Sequence, residues 1–93
     1  MRNADVTVTA AGGGKYEVTV RQGSTSTEHR VTVPATMVDD LGLESIDETI
    51  LVQESFAFLL EREPATSILS RFDLTVIARY FPDYDQEIRR RLG

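Results

Sequence analysis

The sequence predicts an α+β fold in which a three-stranded antiparallel β-meander, residues 1–33, is covered on one face by three to four helices, residues 34–93. Polar and apolar residues alternate through the first part, and two breaks rich in Gly or Ser interrupt the alternation, as is typical of short strands joined by tight turns. In the second part apolar residues recur with helical spacing, between residues that commonly begin or end helices. A chain of 93 residues with 41% hydrophobic residues is expected to form one domain, residues 1–93, around one core.

Each predicted strand has an apolar face and a polar face. The apolar positions are Val6, Val8 and Ala10 in the first strand, Tyr16, Val18 and Val20 in the second, and His29, Val31 and Val33 in the third. The opposite positions carry threonine and mixed charge, so we expect that face of the sheet to meet water. The run Gly12–Lys15 has the glycines of a phosphate-binding loop, but Lys15 opens a strand and not a helix, which favours a hairpin turn.

The helical part is expected to begin with a short helix after Pro34, a residue favoured in the first helical turn, and this helix should end at Gly42. The segment Ser45–Glu48 has the spacing of a capping box, with Ser45 as the cap. It predicts a long helix that runs to about Glu63, because Pro64 prevents continuation. The apolar stripe of this helix is predicted as Ile46, Ile50, Ala57 and Leu60.

A third helix is expected to start at Thr66 or Ser67, although Asp73 is also suited to cap a fresh helix after a break. Pro82 interrupts the pattern, and Asp83 is expected to cap a last helix. The apolar positions are Leu69, Phe72, Val76 and Tyr80 in the third helix, and Tyr84, Ile88 and Leu92 in the last.

Composition excludes several classes of function. The chain has no cysteine, which rules out disulfides, thiolate nucleophiles and cysteine-ligated zinc. The N-terminus has no apolar signal-peptide core, and the longest apolar run, Phe56–Leu60, is far shorter than a membrane span of about 20 residues. The net charge of −5 repels phosphate backbones and acidic lipid headgroups. We therefore expect a cytoplasmic protein with no membrane partner and no nucleic-acid partner.

Candidate catalytic groups are few. His29 is the sole histidine, and no nucleophile motif accompanies it, so we interpret it as a partly buried residue at the rim of the core. A small hydrolase that uses His29 is the open alternative. Paired acids lie at helix starts or on polar helix faces, where their ionised forms are already stable: Asp39 with Asp40, Asp47 with Glu48, and Asp83 with Asp85. The sequence therefore predicts no catalytic, cofactor-binding or metal-binding residue and no enzyme.

One basic cluster, Arg89, Arg90 and Arg91, stands in the last predicted helix. Two helices joined at Pro82, with these arginines in the second, permit the hypothesis of a helix-turn-helix contact with nucleic acid. The acids at the start of the same helix, where a recognition helix enters the groove, oppose this hypothesis. A solvated helix end, where cations are favourable, is the simpler interpretation.

Two parts of the chain resemble known proteins. The segment Ser55–Pro64, with Ser67–Leu69, Phe72–Leu74 and Tyr80–Pro82, resembles a group of small uncharacterised bacterial proteins, and this likeness implies no activity. The segment Val31–Leu43, from Val-Thr-Val-Pro to Leu-Gly-Leu, resembles the strand-Pro-helix unit of swapped-hairpin transition-state regulators. Those regulators are dimeric DNA-binding antitoxins and repressors, so this second resemblance implies a DNA-binding transcriptional regulator of antitoxin type.

The long predicted helix carries apolar residues on more than one side, separated by a row of acids. If the second apolar side were exposed, it would form a partner surface, which consists of Asp47, Leu51, Glu54, Phe58 and Glu61. If other helices cover that side, Phe58 belongs to the core. The sequence favours a non-catalytic protein-interaction or regulatory module, monomeric or homodimeric, with an unidentified protein partner. The alternative is the DNA-binding regulator.

Overall fold

The computed structural model describes residues 5–36 and 47–92 and confirms the predicted α+β fold. Three strands, β1 (Asp5–Gly12), β2 (Lys15–Gln22) and β3 (Thr25–Thr32), form the predicted antiparallel meander. Their alternating sequence places one side chain in two on the inner face, so the meander has one apolar face to bury.

Two tight turns join these strands. Gly13 and Gly14 in the first turn and Gly23 in the second have φ values of 61°, 75° and 64°, a region that glycine adopts without steric cost. The backbone N–H of Val33 donates to the Gly14 carbonyl oxygen at 2.8 Å, which closes the far end of the sheet. The glycine run is a hairpin turn, as predicted, and Lys15 begins β2.

The part after the meander contains the helices α1 (Glu48–Leu60), α2 (Thr75–Tyr80) and α3 (Tyr84–Leu92). Between α1 and α2 lie a 3-10 turn (Ala65–Ser67) and a short strand, β4 (Arg71–Asp73). The sheet order is β1-β2-β3-β4, with β4 parallel to β3. Among the described residues no helix has the length and apolar character needed to cross a membrane.

The prediction of a third helix that starts at Thr66 or Ser67 is wrong. That stretch forms the 3-10 turn and then β4, because the free edge of β3 offers hydrogen bonds that a helix would forgo. Arg30 N–H donates to the Ser70 carbonyl oxygen at 2.7 Å, and Leu74 N–H donates to the Thr32 carbonyl oxygen at 3.0 Å.

A fresh helix, α2, begins after Asp73, as the alternative interpretation held, but Asp73 is the last residue of β4 and Leu74 is the N-cap. The Asp73 carboxylate accepts a hydrogen bond from the backbone N–H of Thr75 at 3.0 Å, which satisfies a donor that the first turn of α2 leaves unpaired. The last predicted helix is confirmed as α3, with Tyr84 and Ile88 buried. The short helix predicted after Pro34 lies mostly outside the described residues, of which Ala35 and Thr36 are helical.

The start of α1 differs by two residues from the prediction. Asp47, and not Ser45, is the N-cap: its carboxylate accepts the Thr49 N–H at 2.8 Å. Ser45 itself lies outside the described residues. The Tyr16 hydroxyl donates to the Glu48 carboxylate at 2.8 Å and ties β2 to the first turn of α1. Burial and this hydrogen bond raise the pKa of Tyr16 to about 12.

The predicted core-facing stripe of α1 is also wrong. Ile50 is 46% exposed, Ala57 and Leu60 are half-buried, and Ile46 lies outside the described residues. The buried residues of α1 are Leu51, Val52, Ser55, Phe56, Phe58 and Leu59. They meet the inner face of the sheet on one side and α3 on the other, so α1 is covered over a wider arc than a surface helix normally buries.

Candidate functional site

The predicted partner surface on α1 requires correction. Its apolar members, Leu51 and Phe58, are fully buried within the chain, so a partner cannot reach them. Phe58 packs edge-on against the rings of Tyr84 (5.3 Å between centroids) and Phe81 (5.9 Å). The other helices therefore supply the cover, and Phe58 is a core residue. Asp47, the fifth residue of the predicted surface apart from the buried pair and the two glutamates, is exposed at the start of the helix.

Two acids of that surface, Glu54 and Glu61, form ion pairs with a residue of α3. Arg91 reaches Glu61 at 2.7 Å, Glu87 at 3.4 Å and Glu54 at 3.6 Å. The hydrogen bond to Glu61 is the main cause that raises the pKa of Arg91. Arg90 pairs with Glu87 one turn away, and this hydrogen bond lowers the pKa of Glu87. These contacts join α1 to α3, and they neutralise charge that a basic partner would otherwise meet.

The predicted nucleic-acid contact at Arg89, Arg90 and Arg91 lies on this same helix. The guanidinium groups of Arg90 and Arg91 pair with carboxylates of the chain itself. Arg30 lies on the outer face of the sheet, where it pairs with Glu17 at 3.1 Å. The described arginines are thus divided between the helical layer and the opposite face of the sheet. DNA binding stays a prediction that this division does not favour.

His29 links β3 to the segment before β4. Its Nδ1 donates to the Leu69 carbonyl oxygen at 2.7 Å, and its Nε2 lies 2.8 Å from the Thr27 hydroxyl. The ring packs against Phe56 with 5.3 Å between centroids, and only 5% of the residue is exposed. Both ring nitrogens have partners within the core rim, so the geometry matches the predicted structural role.

The variant His29→Gln is expected to lower the free energy of unfolding by about 1–3 kcal/mol, because the Leu69 carbonyl oxygen loses its donor and Phe56 loses a ring contact. Urea denaturation followed by circular dichroism measures this change. The matched control is Glu28→Gln on the exposed neighbour of the same strand, which should change stability by no more than about 0.5 kcal/mol. A His29→Gln variant with unchanged stability and abolished cellular activity would instead support catalysis.

Among the described residues, an apolar groove of about 310 Å³ lies between the end of α1, the segment before β4, and α2. We call it the α1–α2 groove. It is lined by Leu59, Glu63, Ser67, Ile68, Leu69, Phe72, Val76, Ile77, Tyr80 and Phe81. Two large side chains on its lining, Leu69 and Tyr80, are 48% and 67% exposed, although most apolar residues of their size in the described chain are covered.

Local sequence explains why the chain turns sharply at this groove. Pro64 ends the helical path, and the N–H groups of Arg62 and Glu63 both donate to the Leu59 carbonyl oxygen at 2.9 Å. The N–H of Ala65 then donates to the side-chain oxygen of Gln22 at 3.0 Å, which anchors the turn to β2. One wall of the groove is therefore held to the sheet.

The exposed position of Leu69 follows from its backbone. Its carbonyl oxygen points inward to His29, and the next carbonyl, that of Ser70, accepts from Arg30 in β3. The preceding residue, Ile68, is buried. Because successive side chains of an extended segment point to opposite sides, the side chain of Leu69 faces outward. On the other wall, Tyr80 is the last residue of α2, and its ring stays in water.

Glu63 supplies the one charged side chain among the ten lining residues. Its half-buried carboxylate forms no hydrogen bond or ion pair with any residue that the structure describes. Burial raises the pKa of this carboxyl above its ordinary value. The neighbouring Arg62 does not serve it, because that guanidinium pairs with Asp83 at 2.9 Å and lies 3.7 Å above the Phe58 ring.

The sequence does not predict this groove, because the spacing of Leu69, Phe72, Val76 and Tyr80 is that of one continuous helical face. The break at β4 places Leu69 before the strand and Tyr80 at the end of α2, and both residues line the groove. Asp73 marks the break, because α2 begins only after it, but a three-residue strand leaves no periodicity of its own. Nothing in the sequence marks Glu63 as a site residue except its position before Pro64.

Comparison with known proteins assigns no function to this groove. A scan of protein-family models, a search of curated proteins and a search of solved structures gave no match to the chain. The resemblances noted in the sequence stay predictions. Within residues 5–36 and 47–92, no three His, Asp or Glu side chains are grouped so that they would hold a metal ion.

Proposed function

We propose that the protein is a non-catalytic interaction module that binds a short segment of a partner protein in the α1–α2 groove. The observation that supports this most is the open apolar groove of about 310 Å³ with Leu69 and Tyr80 exposed on its lining. A concave site lined mainly by apolar side chains, with a few polar groups among them, is the usual form of a binding site. The ten lining residues include one carboxylate and no imidazole or amine, a set that suits recognition better than catalysis.

The shape favours a peptide segment over a small molecule. The volume is at the lower end of the range for ligand pockets and holds one or two side chains. A molecule confined to the groove would leave most of the Tyr80 ring in water. A segment that crosses the groove covers this ring as well, and buried tyrosines are among the residues that contribute most to binding energy at interfaces.

Affinity purification with the full chain as bait, followed by mass spectrometry, tests the proposal. An identified partner should be retained by the wild-type chain and lost by Leu69→Ala. The matched control is Ile50→Ala, which removes an equally exposed aliphatic side chain (46% against 48%) on α1, away from the groove. With the purified partner, Leu69→Ala should weaken binding by roughly tenfold, measured by calorimetry.

Two outcomes would contradict the proposal. One is a partner that binds the Leu69→Ala and Ile50→Ala variants equally well. The other is a purified partner whose complex with the wild-type chain leaves the NMR signals of the groove residues unchanged. Circular dichroism of both variants serves to show that each retains the native fold, since their exposed positions predict changes in stability below about 1 kcal/mol.

A further inference from the structure

The Glu63 carboxylate lies in an apolar wall without a partner, which gives the α1–α2 groove a chemical preference. A half-buried carboxylate loses hydration, and a cation that binds beside it restores that lost stabilisation. None of the described Lys or Arg side chains of the chain binds the Glu63 carboxylate in this way. Arg62 is held by Asp83, Arg91 is held by Glu54, Glu61 and Glu87, and Arg79 on α2 is exposed outside the groove lining.

We propose, on the basis of the proposed function, that the groove recognises a segment in which Lys or Arg lies beside an apolar residue, with the cation bound by Glu63. The apolar residue enters the cleft between Leu69 and Tyr80. The long stem of Lys or Arg packs along the apolar wall while its charged end reaches the carboxylate. The exposed face of the Tyr80 ring offers the same cation a second attractive contact.

The charge of the whole chain points to the same class of partner. The net charge of −5 attracts basic segments and repels acidic ones. Two other acids of α1 and its C-terminal end, Glu54 and Glu61, are already bound by Arg91. Glu63 is different because its groove is open and its carboxylate has no cation. Partner selectivity therefore depends on this one residue.

A display library of short random peptides, selected against the folded full chain, tests the preference. With the wild-type chain we expect enrichment of Lys or Arg next to Leu, Ile, Met or an aromatic residue. Selection against Glu63→Gln should keep the apolar preference and lose the cationic one. The matched control, Glu28→Gln, removes the same charge from an exposed site on β3 and should leave the enrichment unchanged.

The most enriched peptide then permits a quantitative test. Glu63→Gln should weaken its binding by about tenfold, and replacement of its Lys or Arg by Gln should have the same effect. The two changes together should cost little more than either alone, because both remove one contact. Binding should also weaken as the pH falls through the pKa of Glu63, since protonation removes the charge that attracts the cation.

The outcomes separate the inference from the proposed function. Peptides that are enriched for apolar residues alone, and that lose binding in Leu69→Ala, would overturn the role of Glu63 and leave the groove as a binding site. If no enriched peptide depends on Leu69, the proposed function fails and the inference fails with it. Equal effects of Glu63→Gln and Glu28→Gln would show a general charge effect and would overturn the contact with Glu63.

Discussion

Replacement of Phe58 by alanine is expected to lower the free energy of unfolding by about 3–5 kcal/mol, the range measured for large-to-small changes at buried phenylalanines. Phe58 is fully buried, and its ring contacts Tyr84 and Phe81 edge-on while the Arg62 guanidinium covers one face at 3.7 Å. Alanine would leave a cavity at the point where α1 meets α3, and surrounding aromatic rings cannot collapse into it without losing their own contacts.

Urea denaturation of purified Phe58→Ala measures this loss. Phe72→Ala is the matched control, because Phe72 is half-buried and the same truncation there should cost less. Domains of this size have total stabilities of about 5–15 kcal/mol, so Phe58→Ala is expected to bring the chain close to unfolding. A loss below about 1 kcal/mol would show that Phe58 is not in the core.

The second large effect is expected at Ser55, where alanine should destabilise the protein by about 1–3 kcal/mol. Ser55 and Tyr84 are fully buried, and their hydroxyl oxygens are 2.6 Å apart. The Ser55 hydroxyl donates to the Leu51 carbonyl oxygen at 2.8 Å, so the Tyr84 hydroxyl must donate to Ser55. Ser55→Ala removes the acceptor and leaves a buried phenol without a partner, in surroundings that already raise the pKa of Tyr84.

A double-mutant cycle isolates this contact. Tyr84→Phe is expected to cost less than Ser55→Ala, because Ser55 keeps its bond to Leu51. The double variant Ser55→Ala/Tyr84→Phe should be more stable than the sum of the single effects predicts, by about 1 kcal/mol, since it leaves no unpaired phenol. Additive effects would contradict the contact between the two hydroxyls.

Phe58 and Ser55 illustrate which features of α1 can be predicted from the sequence and which cannot. The pattern of this helix has apolar residues on several sides, so no single direction for the core emerges from periodicity. The spacing of Ile50 and Ala57 predicts a core-facing stripe, and the structure leaves Ile50 46% exposed. The sequence does not mark Ser55 as a core residue, because a hydroxyl is buried only where partners such as Leu51 and Tyr84 accept and donate hydrogen bonds.

The candidate site was still harder to predict. Two of its walls come from segments whose apolar spacing is that of one helix. The break between them depends on hydrogen bonds from β3 to residues about 40 positions later. The charge of Glu63 was visible in the sequence, whereas its lack of a partner was not. That property depends on where Arg62 points, and Asp83 and the Phe58 ring decide this direction.

Local sequence alone specified the meander, its glycine turns, the existence of α1 and the position of α3. Each of these follows from strict alternation, from φ angles that glycine adopts freely, or from capping residues next to prolines, and all act within a few residues of each other. The buried side of α1, the strand β4 and the α1–α2 groove were decided by tertiary packing. They depend on which surfaces distant segments cover and which backbone groups a sheet edge leaves free, and neither property leaves a periodic trace in the chain.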